Sequence, residues 1–413
     1  MTEDVDEAAP RGRSRPWLLV WLLALGMFAI GTDLFIVSGL LPTLGRDLGL
    51  SEGAAGQTVT AFAITYAVAA PLLTGAAARA DRRALLPGVL LVFAAGNLVS
   101  ATASSFALLL AGRILTGAAA ALFAATASAV AARITPRDRR GRALGIVYAG
   151  MTSAIAIGVP LGSAIGNVSS WRWAFGFVVL LSLGTAAGLA ACLPPLPGTA
   201  AASLRRRLAA ARIPHAPTAM LTTTLWVVGT FVVYTYLGTL LDDRTHATPS
   251  QRTWLLLLFG VGSFAGVMVG GRLADRLDAT RALAGSIIVL AVVLAALEAA
   301  LRSPAAAGAG LVLWGLVHWA SFPLIQHRLI TIGGRDSDML LALNNSAVYL
   351  GQTVAAVTGG LLVNAGALGG LPLAGTGFQI AAVAVLAAGA AGHRARARAR
   401  RQEAPDPVPA KSV

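Results

Sequence analysis

The sequence predicts an all-α integral membrane protein: twelve transmembrane helices arranged as two six-helix bundles. Three observations predict it. Of 413 residues, 56% are hydrophobic and only 12% charged, with a mean hydropathy of +0.73; a soluble surface needs many more charged side chains. Apolar runs long enough to cross a ~30 Å hydrocarbon core recur along the whole chain. The basic residues gather on alternate connections between those runs.

The first run, Trp17 to Leu41, is 25 residues long and follows Arg11, Arg13 and Arg15. A signal peptide has a shorter apolar region that ends at a small-residue cleavage site, so this run reads as a retained span. Further spans fall near 54–77, 84–104, 106–132, 142–166, 173–193, 217–240, 253–271, 281–301, 305–331, 339–365 and 374–391. All read as helix, because only helices and closed barrels satisfy backbone polar groups in lipid, and a barrel strand needs only about 9–11 residues. The longest hydrophilic interruption, LPPLPGTAAASLRRRLAAARIPHAP (193–217), divides six spans from six. The organisation is therefore a tail (1–16), a bundle (17–193), a linker (194–216), a second bundle (217–391) and a tail (392–413). HRARARAR (393–400) reads either as a contact with anionic lipid or as a plain charged stop after the last span.

Charge sets the orientation. Of the 32 basic residues, all Arg but Lys411, 26 fall on the tails and alternate loops that lie inside when the N-terminus is inside. Arg46, Arg172, Arg244, Arg252 and Arg302 fall outside, and Arg113 lies within span 4. That asymmetry predicts both termini in the cytoplasm of a bacterial inner membrane. The net charge of +14 thus belongs to topology, and no nucleic-acid partner is expected. Cys192 alone excludes an intrachain disulfide framework, and no Cys/His cluster suggests a metal.

Short patterns stand in order on these spans. After span 8 comes Gly271-Arg272-Leu273-Ala274-Asp275-Arg276; after span 2 a degraded copy carries Arg79 where the acid belongs, with Asp81 and Arg82 just beyond. Span 4 holds RILTGAAAA, with Arg113 and Gly117, and span 5 holds GVPLGSAIG, with Gly158, Pro160, Gly162 and Gly166. WRWAF (171–175) opens span 6, and the second half carries WGLVHWASFPLIQHRL (314–329) and LALNNSAVYLG (341–351). Together these resemble the major facilitator superfamily, in its twelve-span drug:proton antiporter branch, over roughly residues 17 to 391. The last two patterns resemble a subgroup that exports sugars, nucleosides or antibiotics. The resemblance implies two bundles that alternate access to a site between them, gated by the loop motifs.

Asp33 lies 16 residues into span 1, and Arg113 seven residues into span 4, which runs the opposite way; the two sit at nearly one depth. Either alone costs at least ~2.5–3.5 kcal/mol near a span centre, so each is expected to face a cavity or the other. Burial opposes the carboxylate charge and the guanidinium supports it, so separating the two would load a proton on Asp33. The plainer reading is a static pair that fixes helices 1 and 4. The span 5 glycines and Pro160 serve either close packing or the sealing of a leak. Arg137, Asp138, Arg139, Arg140 and Arg142 are topology charges, some of them placed to pair with Asp81 or Asp275 and hold the inner side closed. Glu298, four residues before Arg302, reads as an interfacial salt bridge.

Trp314, His318 and Trp319 on span 10, Asn344, Asn345 and Tyr349 on span 11, Tyr66 on span 2 and Tyr234 on span 7 are the candidate substrate contacts; helix packing is the alternative for each. The expected function is proton-driven export of a small organic molecule by a monomer, with sugar or nucleoside efflux and a non-transporting sensor as alternatives. No G-x-x-x-x-G-K-[ST] loop occurs, so the proton gradient rather than ATP is the expected energy source, with no cofactor. No nucleophile–base set suggests an enzyme.

Overall fold

The helix starts are written into the sequence as caps. Ser51, Asp81, Ser105, Ser170, Thr248, Asp278 and Ser303 each accept a hydrogen bond from the first turn that follows, which satisfies an otherwise orphaned backbone N–H. Thr248 and Gln251 form a reciprocal capping box. The computed structural model describes residues 16–198 and 209–402, and only the backbone of residues 137, 210 and 392–402. The expected N-terminal tail, the RRR run of the linker and the end of the C-terminal tail lie outside the described residues.

Described helices are α1 (Pro16–Leu48), α2 (Glu52–Ala76), α3 (Arg82–Ala101), α4 (Phe106–Ile134), α5 (Arg140–Val168) and α6 (Trp171–Cys192) in the first half. The second half holds α7 (Ala216–Tyr234), α8 (Leu237–Thr245), α9 (Pro249–Arg276), α10 (Ala279–Ala300), α11 (Pro304–Gly333), α12 (Ser337–Asn364) and α13 (Leu371–Gln402). Three breaks have local causes. Pro304–Asn364 is an almost unbroken helical run of 61 residues, about three times what a ~30 Å core needs at 1.5 Å per residue. Gly334 (φ +50°) interrupts it and separates α11 from α12. A turn at Thr235 and Tyr236 separates α7 from α8, which continues the same span. In α5, Pro160 has no N–H to offer Ala156, and the ladder widens into a π-turn over Ala154–Gly158, which Val159 closes by donating to the Ala154 carbonyl.

Two ends differ from expectation. α1 continues to Leu48, past Pro42, where the span was expected to stop at 41. α13 continues to Gln402, through residues placed in the tail, because alternating Ala and Arg are both strong helix formers.

The chain is a multi-pass membrane protein whose outer wall is apolar. Trp21, Val168, Trp173, Leu180, Val292 and Leu361 are among its most exposed large side chains. Since lipid is as apolar as leucine, helices here associate through close fit rather than the hydrophobic effect. The α9–α11 contact is the clearest case. Gly262, Gly266 and Gly270 repeat every four residues and lie against the backbone of Val312, Leu316 and Ala320. Within the first half α1 packs on α5 and α6, and α3 on α4 and α6; within the second, α7 packs on α12 and α13, and α10 on α11 and α13.

The halves meet along α2–α12, α5–α9 and α1–α8. That seam is closed at the end away from the basic loops. Gly56 receives the ring of Tyr236, Gly53 the Asn364 side chain, and Gly238 the Ser38 carbonyl. Asn167 Nδ2 donates across it to the Pro249 carbonyl and to Thr253 Oγ1, both at 3.2 Å. Toward the basic face the α5–α9 seam splays: α9 packs against Ala154–Val168 and barely touches Arg140–Ser153.

Candidate functional site

Asp33 and Arg113 are both fully buried, and Arg113 Nη1 donates to Asp33 Oδ1 at 2.5 Å. Arg113 Nη2 also reaches the Asp33 carbonyl at 3.4 Å. Aromatic faces hold the guanidinium, with Phe62 at 4.7 Å and Phe175 at 5.8 Å. One turn on, Gly117 lets α4 approach the Phe62 carbonyl of α2 closely. The pair is incomplete: Asp33 Oδ2 and Arg113 Nε are buried without hydrogen-bond partners. A carboxylate with one free oxygen beside a permanent cation has two states available, ionised and paired, or protonated and released.

Two residues beyond Asp33, Phe35 crosses the seam. Its ring lies 6.1 Å from Phe231, 5.9 Å from Tyr234 and 6.5 Å from Trp319. Behind it Tyr234 packs on Phe259 and Trp314, and His318 is stacked on Trp226 with centroids 4.2 Å apart. His318 Nδ1 is 2.8 Å from Thr230 Oγ1. A second cross-half contact stacks Tyr66 on Tyr349, with centroids at 3.5 Å. Tyr234 Oη, Trp314 Nε1 and both amide atoms of Asn344 are buried and unpartnered. The structure thus brings Tyr234, Trp314, His318 and Trp319 into one cluster and Tyr66 and Tyr349 into another. Asn344 is buried, and Asn345 is half-buried. Phe35, Trp226, Thr230, Phe231 and Gln379 belong to the cluster but were not singled out by sequence. Gln379 carried a signal, as a lone amide within an apolar span.

Among the motif residues, Gly158 lies against Thr32, next to Asp33, and Gly162 against Ile36, so the segment around Pro160 packs directly on the α1 turn that bears the carboxylate. Asp81 caps α3 by accepting from Arg83 N–H at 3.0 Å and also accepts from Leu196 N–H at 2.9 Å. These two backbone donors hold its carboxyl below the usual carboxylate range. Arg82 N–H returns a bond to the Leu196 carbonyl at 2.9 Å, and its guanidinium caps the end of α2 at Ala77 and Ala78. Arg133 Nη1 holds the Pro197 carbonyl at 2.6 Å. The chain leaving α6 is therefore clipped to the α2–α3 turn.

Three expectations need correction or relocation. Asp81 faces the α6 exit rather than the α4–α5 loop, because its Oδ1 accepts from the backbone N–H groups of Arg83 and Leu196. Asp275 and Arg276 are exposed, Gly271 has open space around it, and among the described residues no ion pair forms at Asp275, so no latch joins it to the arginines near Arg140; Asp138 pairs with Arg139 at 3.5 Å. Glu298 pairs with Arg244 at 3.1 Å rather than with Arg302, since α10 ends at Ala300 and Arg302 is off its register. Among the described residues, no three His, Cys, Asp or Glu side chains gather to hold a metal ion.

A family model described as the Major Facilitator Superfamily matches residues 23–336. The chain is 33% identical to an inner membrane transport protein, YdhP, of Escherichia coli, over 83% of this chain and 88% of that one. It is 37% identical to a chloramphenicol resistance protein of Streptomyces lividans, over 66% of this chain and 71% of the relative. In fold it is similar to a D-xylose–proton symporter, with a TM-score of 0.73 at 16% identity, covering 90% of this chain and 97% of that one.

Proposed function

This chain belongs to the Major Facilitator Superfamily, and we propose that it acts there as a monomeric exporter that exchanges a small, largely apolar organic molecule for protons. The observation that carries the proposal is the sealed Asp33–Arg113 pair. It lies within one helical turn of Phe35, the ring that joins the two halves. Protonation neutralises Asp33 and frees Arg113, so the turn of α1 that carries both Asp33 and Phe35 changes partners. The seam then has a reason to move when a proton binds. One charge crossing the membrane releases ~2.3 kcal/mol per 100 mV, enough to drive concentrative export.

The basic loops orient the splayed end of the seam toward the cytoplasm of a bacterial inner membrane, with both termini on that side. An exported molecule would enter there and meet Phe35, Tyr234, Trp319 and the Tyr66–Tyr349 stack. Rings with a few unpartnered donors suit a drug-like compound better than a sugar, whose many hydroxyls each need a partner. The similarity to a chloramphenicol resistance protein supports the same direction.

A growth-inhibition panel in an efflux-deficient bacterium tests this, with wild type and Asp33→Asn at matched membrane levels and chloramphenicol included. Tolerance in the wild type and its loss in the variant is the expected outcome. Equal tolerance in both would remove Asp33 from proton coupling; tolerance to nothing would remove drug export.

A further inference from the structure

We propose that Thr230 and Gln379 are positioning residues that lock His318 as a neutral hydrogen-bond donor, with its ring hydrogen on Nε2, to read an acceptor oxygen on the exported molecule. This rests on the export reading for its purpose but not for its geometry.

The geometry is a relay that admits one arrangement of hydrogens. Gln379, fully buried on α13, approaches α7 at Gly229, where no side chain blocks it. One atom of its amide lies 3.0 Å from the Trp226 carbonyl. That atom is the NH2, because two carbonyl oxygens facing each other would repel. The same nitrogen lies 3.5 Å from Thr230 Oγ1. Gln379 thus occupies the carbonyl one turn before Thr230.

That occupation decides where the Thr230 hydrogen goes. Elsewhere in the chain, several helical threonines donate to the carbonyl four residues back, as Thr222 does to Thr218 and Thr185 to Leu181, each at 2.7 Å, and others to the carbonyl three back, as Thr58 does to Ala55 and Thr116 to Arg113. Among the described residues Thr230 makes neither bond, and the carbonyl four residues back, that of Trp226, carries the Gln379 amide. Its remaining acceptor is His318 Nδ1, 2.8 Å away. A nitrogen that accepts carries no hydrogen, so the neutral ring must carry it on Nε2.

Packing keeps the ring in that orientation. Trp226 covers one face at 4.2 Å with an interplanar angle of 10°, while Phe231 and Trp319 meet the ring edge to face. No carboxylate touches His318 among the described residues, so nothing nearby compensates an imidazolium. Nε2 lies on the flank of the ring away from Thr230 and forms no hydrogen bond among the described residues. Two of the ring's three aromatic neighbours, Phe231 and Trp319, also touch Phe35 across the seam. The arrangement offers one directed donor in an aromatic wall, which suits an uncharged ring compound bearing a carbonyl, nitro or sulfonyl oxygen.

The test is nitrogen NMR of the full chain in nanodiscs at pH 7.5, labelled with 15N-histidine, with His318→Gln assigning the resonance among the five histidines. A neutral ring with hydrogen on Nε2 is expected. Gln379→Leu frees the Trp226 carbonyl, the Thr230 hydroxyl turns to it, and the ring hydrogen moves to Nδ1. Thr230→Val gives a mixture of both tautomers. A wild-type ring that is charged or protonated on Nδ1, or a tautomer unmoved in both variants, overturns the lock. The donor role is read separately as chloramphenicol tolerance: His318→Gln, which keeps an N–H donor, is expected to retain it, and His318→Phe to lose about fivefold to tenfold. Equal tolerance in those two variants overturns the donor role. A wild type without tolerance counts instead against the export reading, which the NMR result does not need.

Discussion

The two halves put different chemistry at the same depth. The first half buries an ion pair, Asp33 with Arg113, both at 0% exposure. The second answers it with neutral groups: rings, a hydroxyl, an amide and an imidazole around His318. An ion pair responds to protons and to voltage; a neutral cluster responds to shape and to hydrogen-bond direction. The difference teaches that one fold, used twice, can bury charge in one half and directed neutral polar groups in the other; under the proposed function these would divide energy input from recognition.

The sharpest way to break this comparison is to remove one charge. Arg113→Leu leaves a buried carboxylate unpaired, and a stability loss of about 3–5 kcal/mol is expected from thermal unfolding in detergent. The double variant with Asp33→Leu should recover most of it. If Arg113→Leu alone is harmless, the pair is not the energetic centre of its half.

Next in size is the seam. Gly260 on α9 lies against the Ile155–Ala156 backbone of the α5 π-turn. Gly260→Leu should cost the closed seam about 1–3 kcal/mol through overpacking. A cysteine at Thr253, in a Cys192→Ser background, should then react faster with an impermeant maleimide. Gly271→Leu, which meets open space, should change nothing.

The Tyr66–Tyr349 stack is smaller. A double-mutant cycle to Ala is expected to give a coupling of about 0.5–1.5 kcal/mol. Zero coupling would mean that the halves touch there without holding.

Last come the two loop acids, Asp81, which is bonded, and Asp275, which forms no ion pair among the described residues. Asp81→Ala should speed tryptic cleavage of the 193–216 connection, and Asp275→Ala should not. Because folding lowers the Asp81 pKa, the clip is fully present above the unfolded value, near ~4. It is lost as pH falls through the lower, folded value. Cleavage with an acid-active protease at pH 3 should therefore narrow the gap between Asp81→Ala and wild type.

How much of this was legible follows from what hydropathy can encode. Span count and depth are one-dimensional quantities, and counting residues put Asp33 and Arg113 on one level. Azimuth is not carried by counting. The cross-seam role of Phe35 and the reach of Gln379 depend on which way each helix is turned, so they appeared only in three dimensions. Glu298 shows the same limit at an end: the i,i+4 rule assumed a helix running on to Arg302, whereas α10 stops at Ala300. The α5 π-turn had a visible cause in Pro160, but a missing hydrogen bond announces a bend without announcing its form.

The closed seam has a further consequence. Gly53, Gly56, Gly238 and Gly260 let one half rest on the other largely through contacts with glycine backbone. Glycine has no rotamers, so at these four positions closing the seam freezes no side-chain torsion on the glycine side, and parting it releases none. A joint of that kind behaves as a smooth bearing rather than a zipper. On the proposed function, such a joint leaves little side-chain ordering for a single proton to overcome.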